Sequence, residues 1–305
     1  MTSSTSSTSS SSPTSPTSAV FETVAPGSVV YLDRLAATDL GRFYKGRMLD
    51  ALDVRTGQTV LDIGCGPGTD LGALADAVGG AGTGPRTAAD TDKGADTDTG
   101  TDTAARTASG SAPGAVIGVD HDQVAVATAR ERTADRDTVT VHLGDVHELP
   151  LADGSVDRAR TDRVLQHVAD PVRALREAHR VLRPGGRLVL GEPDWDTLTV
   201  DHPDDDLSRA YTRYVTDEVI RNARIGRQLP RLAAEAGFTV PTVVPVTPAF
   251  RDVGAADKVL GLERTTQRAL AAGYFTVEGA RRWLDHLASG PFLAAVTFYI
   301  VVAQA

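Results

Sequence analysis

Short apolar runs alternate with helical patterns through the middle of the chain, and this alternation predicts the fold class. The first strand is predicted at the apolar run that begins at Val60, and strand and helix then follow each other to about Leu190. Such an order is typical of an α/β fold with a doubly wound, mostly parallel, Rossmann-like sheet. Residues 28–56 are predicted as a helical lead-in to this sheet.

Further strands are predicted from the same pattern. The apolar runs at 115–120 and at the start of 139–150 predict the second and third strands, and the segment 156–168 holds a fourth that is less apolar than the others. Helical spacing over 175–182 is stopped by Arg-Pro-Gly-Gly at 183–186, and the next strand is predicted to start directly afterwards.

Two late apolar segments, 238–246 and 292–303, are predicted as the last strands of the sheet. The intervening segments, 194–236 and 252–290, look largely helical. Ligands of such folds bind beyond the carboxyl ends of parallel strands, so we expect these two insertions to form a lid and acceptor pocket there.

Two segments lack apolar periodicity. Residues 1–18 form a Ser/Thr/Pro-rich tail, and residues 80–113 are a Gly/Thr/Ala/Asp-rich insertion, and both are predicted to be disordered. The remainder, 19–305, is predicted as one domain. The tail has neither the basic start nor the apolar run of a signal peptide, and no stretch is long and apolar enough to cross a membrane, so we expect a cytoplasmic protein.

Composition narrows the functional classes. The chain has 305 residues and a net charge of −9, with no basic stripe that would suit a nucleic-acid partner. A single cysteine, Cys65, excludes a disulfide framework and argues against a multi-cysteine metal site, and no metal is expected.

The run VLDIGCGPG at residues 60–68 leads a strand into three alternating glycines that open a helix. Glycines at 64, 66 and 68 remove the Cβ atoms that would keep a ligand away from the backbone, and they permit the positive φ angles of a tight turn. The pattern therefore predicts a cofactor loop that contacts its ligand through main-chain amides.

Spacing favours one cofactor over another. A dinucleotide loop needs G-x-G-x-x-G and a helix start that tolerates phosphate, whereas this loop is G-x-G-x-G with a carboxylate at Asp62. At this point the sequence resembles the class I S-adenosylmethionine-dependent methyltransferases, of the type that acts on small molecules. Five segments between about residues 57 and 192 agree with that family in the same order, the last of them LRPGGRLVL.

The resemblance implies a seven-stranded sheet whose last strand inserts antiparallel to the others, and S-adenosylmethionine as cofactor. Once the insertion is removed, Asp120 follows the glycine loop at the spacing of an acid that binds ribose hydroxyls. Asp145 is expected to face the adenine amino group, with Val146 beside the ring. Asp120 and Asp145 could equally be a turn former and a helix or turn cap.

Further site residues are predicted around these. His167 is the candidate base, with a helix-start histidine as the ordinary alternative. Arg163 could contact the methionine carboxylate of the donor or be an ordinary solvated arginine, and His121 could pack against the adenine or cap the turn. Trp195 could face the acceptor or belong to the core of the lid. The residues predicted to contact the cofactor are Asp62, Gly64, Cys65, Gly66, Gly68, Asp120, His121, Asp145, Val146 and Arg163, and those predicted to contact the acceptor are Tyr31, Tyr44 and Trp195.

The expected reaction is methyl transfer to a small-molecule acceptor, such as a secondary metabolite or a quinone-like compound, with oxygen favoured over nitrogen and carbon. The main alternative is a methyltransferase-like protein that binds the donor but catalyses another reaction, for example a cyclisation, or has a regulatory role. A dinucleotide oxidoreductase and a macromolecular methyltransferase fit the motifs less well. The oligomeric state is left open, a homodimer included.

Overall fold

The computed structural model describes residues 21–22, 26–80 and 114–305. The tail predicted over 1–18 and the insertion predicted over 80–113 lie outside these residues, apart from Gly80.

Within these ranges, eight strands form one sheet: β1 Thr59–Ile63, β2 Ala115–Asp120, β3 Val139–Leu143, β4 Val156–Asp162, β5 Leu182–Val200, β6 Thr239–Val246, β7 Ala249–Phe250 and β8 Ala294–Gln304. Their order is β3-β2-β1-β4-β5-β8-β6, and the two-residue β7 also pairs with β8. The neighbours from β3 to β5 are parallel, whereas β8 runs antiparallel to both β5 and β6. The predicted doubly wound, mostly parallel sheet with an antiparallel last strand is confirmed, and the two-residue β7 adds an eighth strand to the seven that were expected.

Ten α-helices of the described residues surround this sheet: α1 Ser28–Ala36, α2 Asp39–Leu52, α3 Leu71–Val78, α4 Gln123–Arg132, α5 Pro171–Val181, α6 Asp205–Tyr214, α7 Ile225–Glu235, α8 Val253–Leu260, α9 Leu262–Ala271 and α10 Val277–Ser289, with a π-helical turn at Val215–Val219. Side chains of Asp or Thr cap several of the first turns. At α5, for example, Asp170 accepts a hydrogen bond from the Arg173 amide ahead of Pro171 at the first helical position.

Alternating strand residues bury themselves on opposite faces of the sheet. Leu61 packs towards α5 and α7, whereas its neighbour Val60 packs towards α2, α3 and α4. A separate apolar cluster around Trp283 joins α6, α9 and α10 to the end of β5. Helices α6, α9 and α10 of the two predicted insertions thus have a core of their own, whereas α7, which the sequence places in the first insertion, packs against the sheet beside α5 instead.

Strand β5 starts earlier than the sequence predicts. Leu182 already pairs with Val156, and the pairing resumes at Arg187 opposite Arg158 after a register shift. Residues 183–186 therefore bulge out of the strand rather than preceding it.

The far end of β5 corrects a second prediction. Residues 194–200, which were expected to be helical, continue the strand to Val200. They do so because β8 reaches beyond the parallel strands, where Thr199 and Val200 pair with Ala295 and Ala294. Helix begins only at α6.

Candidate functional site

The strand order reverses between β1 and β4, and a cavity of about 540 Å³ lies at their carboxyl ends. A cleft beyond the carboxyl ends at such a switch point is the usual ligand site of a doubly wound sheet, and the volume is within the range of small-molecule pockets. The sequence-predicted residues that line it are Tyr31, Gly64, Gly66, Asp120, His121, Asp145, Val146, Arg163 and His167.

The glycine loop enters this cavity between β1 and α3. Gly64 has a φ of 72°, and its amide donates a hydrogen bond of 2.7 Å to the Val119 carbonyl. A Cβ on Gly64 would lie 2.3 Å from a methyl carbon of Val164 on the opposite wall. The loop can therefore keep this position only with glycine at residue 64.

Asp120 at the end of β2 is bound to the same loop. Its Oδ2 accepts a 2.8 Å hydrogen bond from the Gly66 amide, and its Oδ1 accepts one of 2.9 Å from the Asp122 amide. A carboxylate has about four acceptor positions, so lone pairs remain for ribose hydroxyls. The neighbouring His121 side chain is 86% exposed at the rim of the cavity.

Asp145 lies at the same end of the sheet, after β3. Its Oδ1 accepts a 2.8 Å hydrogen bond from the His147 amide and lies 2.7 Å from His147 Nδ1. These hydrogen bonds hold the pKa of Asp145 below its usual range. Val146 is buried beside it.

Arg163 follows β4 with a φ of 61°, which is unusual for a residue other than glycine. Its Nη2 donates to the Tyr31 hydroxyl at 2.8 Å, and its guanidinium carbon lies 5.4 Å from the centre of the Tyr31 ring. Its Nη1 is buried and has no hydrogen-bond partner in the part of the chain that the structure describes. Tyr31, whose hydroxyl lies 3.4 Å from the Val259 carbonyl of α8, links this arginine to the helical lid.

His167 lies on the cavity wall, four residues after Arg163. Burial lowers its pKa, and the charges of Arg163 and His121 lower it further. The imidazole is therefore neutral at pH 7, which is the form that can accept a proton.

A network of charged residues beneath the glycine loop was not predicted. Arg160 Nη2 lies 2.7 Å from Asp70 Oδ2 and 3.4 Å from Asp162 Oδ2, and Lys45 Nζ lies 2.5 Å and 2.7 Å from the same two atoms. Burial alone would raise the pKa of Asp70, but Arg160 and Lys45 hold it at about 2. Asp62 lies 3.1 Å from Arg160, and burial raises its pKa to about 6 against that charge.

Several predicted residues lie outside the main cavity. Asp62, Cys65 and Tyr44 line only a smaller one of about 40 Å³ beside this network, where the Tyr44 hydroxyl lies 3.3 Å from Asp162 Oδ2. Burial raises the pKa of the Cys65 thiol, so it stays protonated and unreactive. Gly68 packs against Ala129 of α4 instead, and a Cβ there would lie 3.0 Å from the Ala129 Cβ.

Trp195 also lies outside both cavities. It is buried in β5, and its Nε1 donates a 2.7 Å hydrogen bond to Gln166 Oε1 behind the cavity wall. The cavity residues that sequence reasoning missed include the apolar Val29, Leu32, Val168 and Ala169, and also Arg221. Their pattern is that of ordinary core or surface residues, so no local signal distinguishes them.

Two negative findings apply to residues 21–22, 26–80 and 114–305. No group of three His, Cys, Asp or Glu side chains is arranged to hold a metal ion. No helix has both the length and the apolar composition that crossing a membrane requires.

Comparisons with known proteins agree with this geometry. Residues 96–190 match a family described as a methyltransferase domain. The chain is 28% identical over 169 residues to demethylmenaquinone methyltransferase of Staphylococcus aureus, which covers 55% of this chain and 57% of that relative. The chain therefore contains a methyltransferase domain of the class I, S-adenosylmethionine-dependent type.

Two further comparisons concern the extent of the chain and its fold. A Streptomyces fradiae relative, described as an uncharacterized 37.1 kDa protein in transposon TN4556, is 58% identical over 286 residues, 94% of this chain and 74% of the relative. The solved structure of the YcgJ protein from Bacillus subtilis superposes with a TM-score of 0.57 at 17% identity, covering 86% of this chain and 98% of that one. At that identity the likeness shows a shared fold. The cofactor of this methyltransferase family is S-adenosylmethionine.

Proposed function

We propose that this methyltransferase transfers the methyl group of S-adenosylmethionine to a hydroxyl oxygen of a small-molecule acceptor. One observation carries the proposal: a single cavity is lined by the glycine loop, Asp120 and Asp145 as well as by Arg163 and a neutral His167. The first three suit the nucleoside of the donor, and the last two suit its carboxylate and the acceptor.

The residues present fit the donor. Glycines 64 and 66 bring main chain to the cavity without side chains, and Asp120 keeps free lone pairs for ribose hydroxyls. Arg163 Nη1 is a buried donor without a partner among the described residues, and leaving such a donor unpaired costs free energy. A methionine carboxylate would complete its hydrogen bonding.

When bound, S-adenosylmethionine supplies a methyl group that is already activated by the sulfonium. The protein therefore has to align the acceptor oxygen with that methyl and keep water out, and positioning of this kind can contribute about 7–11 kcal/mol. His167 Nδ1 or Nε2 accepts the proton of the hydroxyl as the oxygen becomes methylated.

The walls favour an acceptor with an apolar body. Val29 and Leu32 of α1 face the cavity together with Val164 and Val168 after β4. Similarity to a demethylmenaquinone methyltransferase supports an acceptor with a quinone-like or other aromatic ring system. Secondary metabolites with phenolic hydroxyls belong to the same chemical class.

The proposal is tested with S-adenosylmethionine that carries a deuterated methyl group. Naphthols and hydroxyquinones are offered alongside the corresponding aromatic amines, and products are analysed by mass spectrometry and fragmentation. Labelled methyl on oxygen supports the proposal, whereas labelled methyl on nitrogen or ring carbon contradicts the choice of oxygen. Tight binding of S-adenosylhomocysteine without transfer to any compound of the panel would favour a donor-binding protein with another reaction.

A further inference from the structure

The loop that follows β4, residues 163–168, carries both Arg163 and His167, and we call it the post-β4 loop. Its first residue has a φ of 61°, a conformation that is strained for an L-residue with a side chain. Backbone of this kind persists only where the surrounding structure over-determines it. Contacts on the side of the loop that faces away from the cavity must therefore hold Arg163 in this conformation.

Glu192 of β5 provides the first of these contacts. It is fully buried, and its Oε1 accepts a 2.5 Å hydrogen bond from the Leu165 amide in the middle of the loop. The carboxyl group does not line the cavity, and its Oε2 has no partner among the described residues. One residue earlier on the same strand, the Gly191 carbonyl accepts a 2.8 Å hydrogen bond from the Arg163 amide.

Asn222 provides the second set of contacts, from the segment between the π-helical turn and α7. Its Nδ2 donates to the carbonyls of Leu165 at 2.7 Å and Val168 at 2.8 Å. Its backbone amide donates to the Gln166 carbonyl at 3.0 Å. One residue of the lid thus binds three of the loop's six carbonyl groups.

We propose that Glu192 and Asn222 are positioning residues, which hold the post-β4 loop so that Arg163 and His167 face the cavity. Neither touches the cavity itself, so both act through the loop. This inference rests on the proposed function, because it takes Arg163 as the partner of the donor's carboxylate. It also links the lid to donor binding, since Asn222 lies 54–57 residues from its partners in the chain.

The test compares two ligands of the full chain by isothermal titration. S-adenosylhomocysteine carries the methionine-derived carboxylate, whereas 5′-methylthioadenosine has the same nucleoside without it. Asn222→Asp keeps the size of the side chain but replaces both donors with acceptors. We expect it to lower affinity for S-adenosylhomocysteine at least tenfold and to change affinity for 5′-methylthioadenosine less than twofold.

Glu192 offers an independent pair of variants. Glu192→Gln keeps an acceptor for the Leu165 amide and should bind S-adenosylhomocysteine as the unmodified protein does, whereas Glu192→Ala should reproduce the selective loss. Should Asn222→Asp fail to fold, this pair carries the test alone. Thr212→Val is the matched control, because it removes a 2.8 Å hydrogen bond between α6 and the Leu198 carbonyl without touching the loop.

The outcomes distinguish a failure of the proposed function from a failure of the positioning role alone. If the unmodified protein binds no S-adenosylhomocysteine, the proposed function fails and the inference falls with it. If the unmodified protein binds it but the variants weaken both ligands equally, or weaken neither, the proposed function stands and the positioning role is wrong. NMR titration of the His167 imidazole gives a second readout, since release of the loop in Asn222→Asp should raise its lowered pKa towards 6.5.

Discussion

The Asp120 carboxylate accepts a hydrogen bond from the Gly66 amide at 2.8 Å, which joins the end of β2 directly to the glycine loop. Its second oxygen is bound by the Asp122 amide. The residue predicted to hold the ribose therefore also fixes the loop that is predicted to contact the donor. Loss of its charge should change stability and ligand binding together.

Asp120→Asn tests this double role. An amide nitrogen must then face one of two backbone donors, so we expect the free energy of unfolding to fall by about 1–3 kcal/mol and S-adenosylhomocysteine to bind at least tenfold more weakly. Chemical denaturation and calorimetric titration measure the two effects. Asp122→Asn is the control for stability, because Asn caps α4 as well as Asp does. Unchanged values for Asp120→Asn would remove it from the site.

Replacement of His167 by Gln should slow methyl transfer roughly 10²–10⁴-fold, since the group that accepts the hydroxyl proton is lost. Binding of S-adenosylhomocysteine should stay within about twofold. His179→Gln, in α5 against Phe238, is the matched control and should leave the rate unchanged. A loss below threefold in His167→Gln would return His167 to a structural role.

The pH dependence of the rate follows from the same histidine. Burial lowers the pKa of His167, so the imidazole remains neutral down to below its ordinary value of 6.5. The decline of kcat/KM towards acidic pH is therefore expected to be centred below pH 6.5. A decline centred above pH 6.5, measured under conditions where the protein stays folded, would contradict His167 as the base.

The pH dependence of stability follows from Glu192. Whereas the rate is expected to fall at acidic pH, the free energy of unfolding is expected to fall as pH rises. Burial raises its pKa to about 8, with a further rise from Asp162 that is opposed by Arg163 and by the amides of Leu165 and Val164. The folded protein therefore holds this proton between about pH 4.5 and 8 while the unfolded chain has released it, and stability is lost as pH rises through that range. Relative to Glu192→Gln, which cannot ionise, we expect the unmodified protein to lose up to about 1.4 kcal/mol per pH unit. If the free energy of unfolding changed equally with pH in the two proteins between pH 5 and 8, Glu192 would not titrate in that range.

Gly68→Ala distinguishes packing from cofactor contact. Gly68 has a φ of 79° and lies against Ala129, whereas Gly154 has a φ of 57° with open space around it. Both substitutions strain the backbone by roughly 1 kcal/mol, but only Gly68→Ala adds a steric clash, so it should be destabilised by about 1–3 kcal/mol more than Gly154→Ala. Thermal unfolding measures the difference, and equal effects would contradict the packing role.

Most of the sheet was predictable because its strands are local apolar runs that end at Gly or Asp. The end of β5 was not, since residues 194–200 become strand only by pairing with β8 about 95 residues later. The strand preferences of single residues do not reveal which segments far apart in the chain will pair.

The candidate site likewise combines residues that the sequence marks with residues that only the fold brings together. Asp120, Asp145 and the glycine loop could be found from the sequence because motif and spacing mark them. Arg160 appeared in the sequence as a polar interruption of β4, yet it is buried against Asp62 and Asp70. Only the fold brings those carboxylates from β1 and the start of α3 to one place. Likewise, nothing near Asn222 in the chain indicates that it binds the post-β4 loop.

The cofactor class is the claim on which the remaining predictions depend. Calorimetric titration of the full chain with S-adenosylmethionine, S-adenosylhomocysteine and NADH, each in turn, tests it most directly. We expect both sulfur compounds to bind with one site per chain and NADH to give no heat of binding. Binding of NADH alone would contradict the account of the glycine loop, of Asp120 and of the cavity that they share.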